Sequence, residues 1–268
     1  MLKLCLPVLL ALIVSSATAT TISQFNVPVV QNFDTLANAG TANATVPAGW
    51  SFAETGSGAN TTYAAGTGSS ATGNTYSFGA TASTERAFGA LRTSSLLSAL
   101  GSVVTNETGA AITSLMIAYT GEQWRLGATA RVDRLDFSYS LDATSLTTGS
   151  WLDFDALDFV APISAGTLGV LDGNAATNQS AISSTLSGLN IATGSNVWLR
   201  WTDFVATGSN DGLGIDDVTI SALGAVNLNP EPPTASVPEG IPTSYLAIVL
   251  LGVLRAGAAR RMSAVPVS

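Results

Sequence analysis

The sequence predicts an all-β protein, a two-sheet antiparallel β-sandwich of the jelly-roll type, between a hydrophobic N-terminal signal and a short C-terminal membrane helix. Charged residues make up only 10% of the 268 residues, and Thr, Ser, Ala and Gly dominate. Such a composition suits strands joined by turns better than solvated helices. About ten short apolar segments are separated by turn signals, as in a sandwich. The internal repeat that a β-propeller would need is not seen.

The first half of the predicted domain is the less regular half. We expect strands at residues 29–33 and directly after Gly49-Trp50. Residues 57–75 are almost entirely Gly, Ser, Thr, Ala and Asn, which favours a long surface loop over a pair of strands with small side chains. Residues 94–104 carry leucines at helical spacing, but Gly101 and the two valines after it indicate that they lead into a strand.

Residues 132–141 form the clearest strand pattern. Leu135, Phe137 and Tyr139 share one parity and alternate with charged or hydroxyl residues, so one face should be buried and the other wet. The remaining predicted strands cover residues 76–78, 87–91, 112–119, 151–160, 182–189, 196–204 and 213–222.

Composition excludes several kinds of chemistry. The chain has no histidine, which removes Ser-His-Asp and Cys-His catalysis and histidine-bearing zinc sites. Its one cysteine, Cys5, lies in the predicted signal. Residues 20–223 hold sixteen acidic residues against six arginines, a net charge of −10. We therefore expect no nucleic-acid partner, because phosphate binding needs clustered Lys and Arg.

The N-terminus has the features of a secretory signal peptide over residues 1–19. Lys3 precedes an apolar run, and Ala17-Thr18-Ala19 predicts cleavage before Thr20. The sandwich domain is then expected over residues 20–223. Residues 224–236 contain three prolines and predict an extended linker.

Residues 237–268 have the features of a C-terminal sorting signal. Val237-Pro238-Glu239-Gly240 is followed by an apolar run at about 241–254 and then by the arginines, which are Arg255, Arg260 and Arg261. Arginines after an apolar segment stay on the cytoplasmic side, so the domain would face outward. The run is shorter than the roughly 20 residues of a full span. An amphipathic or disordered tail is the alternative.

This tail resembles the PEP-CTERM class of bacterial sorting signals. In that family a Val-Pro-Glu-Pro motif precedes a transmembrane segment and an arginine cluster, and Gly240 here replaces the second proline. The resemblance implies an exosortase-type membrane protease as partner. That protease would cleave near Pro238-Glu239 and pass a membrane-anchored protein to the cell surface or extracellular matrix.

Three segments resemble an extracellular bacterial β-sandwich module. They are residues 119–125, 198–203 and 211–217, and the similarity covers about 103–222. The module recurs alone in PEP-CTERM proteins and beside larger exported enzymes, including extracellular nucleases. It implies a kind of domain and no particular reaction.

Asp34, Asp216 and Asp217 are candidate ligands of a structural Ca²⁺. The segment around Asp216-Asp217 is similar to the closing strand of carbohydrate-binding sandwiches and adhesion domains, in which an acidic residue of this strand and one near the end of the first strand can hold Ca²⁺. Asp34 stands at the matching place after Phe33. Calcium takes six to eight oxygen ligands, which an acidic chain can supply. Alternatively, Asp216 caps turn amides.

Glu122, Trp124 and Arg125 are candidate ligand-binding residues, because an aromatic face beside charged hydrogen-bonding groups suits a carbohydrate. The alternative is that the tryptophans pack in the core and that Arg125 or Arg200 pairs with an acid. Trp198 and Trp201 have opposite parity, so only one of them should face solvent.

These observations favour an exported, surface- or matrix-sorted, non-enzymatic protein with an adhesive or glycan-binding role and an extracellular polysaccharide as partner. A carboxylate-based extracellular hydrolase is the first alternative, since Asp153 and Asp155 on one strand face would lie about 7 Å apart, within the inverting range. Asp158 lies close by. A module that assists a partner enzyme is the second alternative.

Overall fold

Burial alternates along some strands of this protein and is continuous along others, as expected for strands with one or both faces covered. The computed structural model describes residues 19–224. Except for Ala19 and Gly224, the predicted signal peptide (residues 1–19) and linker (residues 224–236) lie outside these residues, and so do the sorting motif and the membrane segment. Fifteen strands occur in the described part: β1 (Thr20–Ile22), β2 (Val29–Gln31), β3 (Trp50–Thr55), β4 (Ala64–Gly66), β5 (Asn74–Phe78), β6 (Ala87–Leu91), β7 (Leu97–Asn106), β8 (Ile112–Leu126), β9 (Arg134–Ser140), β10 (Leu152–Asp153), β11 (Phe159–Val160), β12 (Gly169–Val170), β13 (Gln179–Ile191), β14 (Asn196–Asp203) and β15 (Gly212–Ala222).

The strands form two sheets, which confirms the all-β prediction. Sheet A follows the order β1-β7-β14-β9-β10, with β3 on β7 and β11 on β9. Sheet B follows β12-β8-β15-β6-β5-β4, with β13 on β8 and β2 on β15. All pairings are antiparallel in the described residues except β1 with β7 and β4 with β5. The prediction of a purely antiparallel sandwich is therefore wrong at these two short pairings.

The two sheets pack face to face across one core, so the domain is a β-sandwich. Trp201 of sheet A is fully buried near the centre of this core. Its ring centroid lies 5.5 Å from that of Tyr119 on sheet B and 5.8 Å from that of Trp50. Trp198 is only half-buried, which confirms the predicted parity. Replacing such a central aromatic by alanine typically costs about 3–5 kcal/mol.

A second, smaller core lies on the outer face of sheet B. Side chains alternate along β8, so Tyr119 points into the sandwich while Trp124 points out of it. Trp124 stacks on Phe78, which stacks on Tyr76, at centroid distances of 6.0 and 5.0 Å. Gly173 closes over the indole, because a Cβ there would lie 2.3 Å from the ring. This second core packs the outer face of sheet B next to the acidic pocket.

Several predicted segments differ from the structure. Residues 151–160 are not one strand, because Leu157 and Phe159 turn into the core and a 3₁₀ turn at Asp155–Leu157 separates β10 from β11. Residues 57–75 are mainly loop, as expected, but include β4. Residues 94–104 lead into β7 with no helix, and β8 extends seven residues past the predicted end at Tyr119. Between residues 19 and 224, no helix has the length and apolar character needed to cross a bilayer.

Candidate functional site

An acidic pocket lies on the outer face of sheet B, next to the second core. Its volume is about 420 Å³. Loop and strand residues contribute side chains with carboxylate, amide or hydroxyl groups: Asn32, Asp34, Glu85, Thr120, Glu122, Asn174, Gln179, Asp216 and Asp217. Every potential ligand atom in these side chains is therefore an oxygen or an amide nitrogen.

Three neighbouring strands bring three carboxylates together in this pocket. Glu122 lies on β8, Asp216 lies on β15, and Glu85 comes just before β6. In the register, Gly214 faces Glu122 and Asp216 faces Thr120, so the two acids are diagonal neighbours on one sheet face. One carboxylate oxygen from each of the three acids lies within 4.8 Å of the others. Carboxylates this close repel one another unless a proton or a cation lies between them.

Each of these carboxylates has one oxygen held by an N–H donor. The indole Nε1 of Trp124 donates to Oε2 of Glu122 at 2.8 Å, and the backbone N–H of Asp217 donates to Oδ1 of Asp216 at 2.7 Å. The Asn174 amide donates to Oε2 of Glu85. The other oxygen of each acid has no hydrogen-bond partner within residues 19–224. Three fixed carboxylates thus each keep one oxygen available.

Burial makes ionisation of two of these acids costly. Glu122 is 2% exposed and Asp216 is 6% exposed. Desolvation is the main cause that raises the pKa of Glu122 to about 7. The hydrogen bond from Trp124 lowers this pKa, and repulsion by Glu85 raises it. Desolvation, together with repulsion by Glu122, raises the pKa of Asp216 to about 9. A bound divalent cation would favour the ionised forms and remove this cost.

A bulge in β15 places both consecutive aspartates at the pocket. Successive residues of a regular strand point to opposite faces, but the pairing of β15 with β8 shifts register between Asp216 and Thr219. Asp217 sits in the left-handed region at φ +48°. The bulge therefore allows Asp216 and Asp217 to line the same cavity.

Asp34 reaches the pocket through β2. This strand pairs with β15 so that Gln31 faces Val218, close to the bulge. Phe33 has a left-handed φ of +54° and is fully buried, which turns the chain after β2. The Asn32 amide donates to Oδ2 of Asp34 at 2.7 Å. The end of β2 thus adds an exposed carboxylate to the rim.

The structure brings together all three residues predicted as calcium ligands, Asp34, Asp216 and Asp217, in this one pocket. The sequence reasoning missed Glu85 and gave Glu122 a different role. Nothing in the local pattern distinguishes Glu85 from other acids beside a strand. Only the pairing of β15 with both β6 and β8 reveals that Glu85 and Glu122 meet Asp216.

The predicted ligand-binding residues do not form one exposed surface site. Glu122 lines the acidic pocket, whereas Trp124 is 2% exposed in the second core and offers no open ring face. Arg125 donates to the carbonyls of Gly68 and Ser69, both at 3.2 Å. The aromatic residue of this group therefore orients Glu122 and does not form a surface platform.

Arg125 and Arg200 form no ion pair with an acid among residues 19–224. Arg125 satisfies its donors with loop carbonyls. Arg200 donates to the carbonyl of Leu146 at 2.9 Å, and its guanidinium lies 3.8 Å from the ring centroid of Trp151. The predicted acid partner is wrong for both, because neutral loop groups fold over each guanidinium. The prediction that tryptophans pack in the core is confirmed for Trp124 and Trp201.

The candidate hydrolase acids lie in a different pocket, in which one arginine pairs with part of the acidic set. Asp153, Asp155 and Asp158 line a cavity of about 450 Å³ with Arg134 and Asp136. Arg134 forms an ion pair with Asp136 and lies 3.7 Å from Asp158. The backbone N–H of Phe137 donates to Asp158 at 2.7 Å. Because the 3₁₀ turn interrupts the strand, the predicted arrangement of two carboxylates on one strand face does not form.

The fold and the site define a two-sheet β-sandwich with a preformed acidic pocket on one outer face. No protein-family model and no curated protein matches this chain.

Several solved structures are similar to it. The K2 cleaved adhesin domain of Lys-gingipain is 12% identical over 72% of this chain and 97% of that chain, with a TM-score of 0.40. TmCBM61, solved with β-1,4-galactotriose, is 12% identical over 52% and 71%, with a TM-score of 0.30. The CBM22-1–GH10 modules of Clostridium thermocellum xylanase 10B, solved with xylohexaose, are 15% identical over 76% and 30%, with a TM-score of 0.33. Because these TM-scores lie below 0.5, the geometry of the pocket carries the proposal below.

Proposed function

We propose that this chain is an exported, calcium-binding β-sandwich of the jelly-roll type that acts without catalysis, as a glycan-binding or adhesive protein. The observation that carries the calcium proposal is the convergence of Glu85, Glu122 and Asp216 within 4.8 Å. Asp34 and Asp217 extend the same acidic surface toward solvent.

The donor set suits calcium better than other common cations. Calcium takes about six to eight oxygens at flexible geometry, whereas magnesium demands a near-ideal octahedron and keeps its waters. Zinc and copper favour imidazole or thiolate ligands, and the chain has no histidine. Carboxylates fixed by Trp124, Asn174 and the backbone of Asp217 would hold the ion without reorganising the fold.

The proposed cellular destination rests on the sequence of the two termini. Export through the signal peptide, membrane anchoring by the C-terminal segment and processing by an exosortase-type protease are proposed on the sequence alone, for residues outside the described part. At the cell surface or in the matrix, an extracellular polysaccharide is the proposed partner. The pocket supports this role because polar side chains from three strands line it, among them Thr120, Gln179 and Asp216.

Calorimetric titration of the purified, metal-stripped protein with CaCl₂ tests the proposal. We expect saturable binding of one Ca²⁺ per chain, lost in both Glu122→Gln and Asp216→Asn. The matched control is Asp153→Asn, which removes an exposed acid from the other acidic cavity and should bind Ca²⁺ as the unsubstituted protein does. Equal binding by all three variants, or none by the unsubstituted protein, would contradict the site.

A hydrolase remains the second candidate, because two acids in the pocket have raised and unequal pKa values, about 7 for Glu122 and about 9 for Asp216. Unequal pKa values are what an acid and a base in one site require. Release of reducing sugar from galactan or xylan, abolished by Glu122→Gln, would establish this alternative and displace the non-catalytic role.

A further inference from the structure

We infer that the calcium site is itself the contact point for the glycan, and that the glycan is a neutral sugar presenting adjacent hydroxyl groups. This inference rests on the proposed function and specifies how the ligand is held. Three features of the pocket carry it: the number of protein oxygens, the groups around them, and the charge.

The protein oxygens leave room in the coordination of the ion. One oxygen of each central acid is already held by an N–H donor, so Glu85, Glu122 and Asp216 offer three oxygens with no hydrogen-bond partner in residues 19–224. Calcium needs about six to eight. The two exposed acids, Asp34 and Asp217, lie at the rim, on the solvent side. Coordination positions that the protein oxygens leave open are accessible from solvent, and vicinal hydroxyls are neutral oxygen donors of suitable spacing for them.

Polar side chains beside the cluster are free to bind the rest of a sugar. Thr120 and Gln179 line the pocket, and within the described residues their side-chain hydroxyl and amide make no hydrogen bond. Thr120 faces Asp216 across β8 and β15, and Gln179 faces Glu122 across β13 and β8. A hydroxyl and a primary amide can each donate and accept, which matches sugar hydroxyl groups.

The charge of the pocket selects against acidic sugars. Five carboxylates line it and no basic residue does. One divalent cation leaves this set net negative, so a uronate or phosphate group would be repelled, whereas an uncharged diol is not. Repulsion of this kind gives specificity by opposing the wrong ligand.

The test compares full-length purified protein on native affinity gels containing neutral galactan or xylan with gels containing anionic polygalacturonate. We expect retardation by a neutral polysaccharide in millimolar CaCl₂, and binding at least about tenfold weaker in EDTA. Thr120→Ala and Gln179→Ala should weaken retardation while leaving the calcium affinity from calorimetry unchanged. Asp153→Asn should behave like the unsubstituted protein.

Each outcome separates the inference from the proposed function. Normal calcium binding with glycan binding unaffected by EDTA would overturn the inference and leave the ion structural. Preferential retardation by polygalacturonate would overturn the selection by charge. Normal calcium binding with no retardation by any polysaccharide would overturn both the inference and the glycan-binding role, and leave only the metal site. Absence of calcium binding by the unsubstituted protein would overturn the calcium site of the proposed function, and the inference with it.

Discussion

At the scale of single residues, the central feature is that burial raises the pKa of several acidic side chains. Glu122 and Asp216 are held by N–H donors that favour their charged forms, yet burial and mutual repulsion oppose charge more strongly. Asp203 in sheet A shows the same effect: burial, with repulsion from Asp133, raises its pKa well above the usual range. Such groups cost stability when ionised without a partner.

These shifts predict how stability depends on pH in the metal-free protein. Between about pH 4 and pH 9 the folded state binds more protons than the unfolded state, because the pKa values of Glu122 and Asp216 are raised. The free energy of unfolding in EDTA should therefore fall as pH rises through this window. Urea unfolding at three pH values measures it. Glu122→Gln and Asp203→Asn should each flatten the profile, and a free energy that rises with pH would contradict the assignment.

At the scale of elements, the bulge in β15 decides which side chains meet. Asp217 adopts a left-handed conformation that most residues with a Cβ avoid. The bulge also interrupts the ladder between β15 and β8, the pair that carries Asp216 and Glu122. Local strain at this point is the cost of placing two consecutive aspartates at one pocket.

Substitutions at Asp217 test the role of this conformation. Asp217→Asn, which tolerates the left-handed region, should keep the stability of the metal-free protein, and Asp217→Gly should keep or raise it. Asp217→Val should lose about 1–3 kcal/mol, because a β-branched residue is strained there. Urea unfolding in EDTA gives the three values. Equal stability of the Val and Asn variants would show that the bulge does not need this backbone conformation.

Sequence patterns identified most of the strands but not all of their contacts. At residues 132–141, and at Trp198 and Trp201, alternation along the strand predicts which side chains are buried. It does so because only one face of such a strand packs on the core. The pattern failed at residues 151–160, where Leu157 and Phe159 reach the core through a 3₁₀ turn that alternation cannot express. Glu85 could not be found, since its role depends on a strand pairing between distant segments.

At the scale of the whole molecule, the sandwich supports the pocket from two sides. The central core fixes the positions of β8 and β15, and the second core holds Trp124 against Glu122. Asp34, Asp216 and Asp217 could be predicted from the sequence, through the resemblance of the first and last strand ends to those of other sandwiches. The cluster of Glu85, Glu122 and Asp216 could not be predicted from the sequence, because it depends on the register of β6, β8 and β15. The pocket is thus a property of the fold as much as of any motif.

Thermal unfolding of the purified protein in calcium and in EDTA tests the calcium site most directly. A ligand that binds only the folded state must raise stability, by about 2.7 kcal/mol at a hundredfold excess over its dissociation constant. We predict that the melting temperature rises on addition of millimolar CaCl₂ and returns on addition of EDTA, and that Asp216→Asn abolishes the shift while Asp153→Asn preserves it. A melting temperature that is the same in calcium and in EDTA would contradict the calcium site on which the proposed function depends.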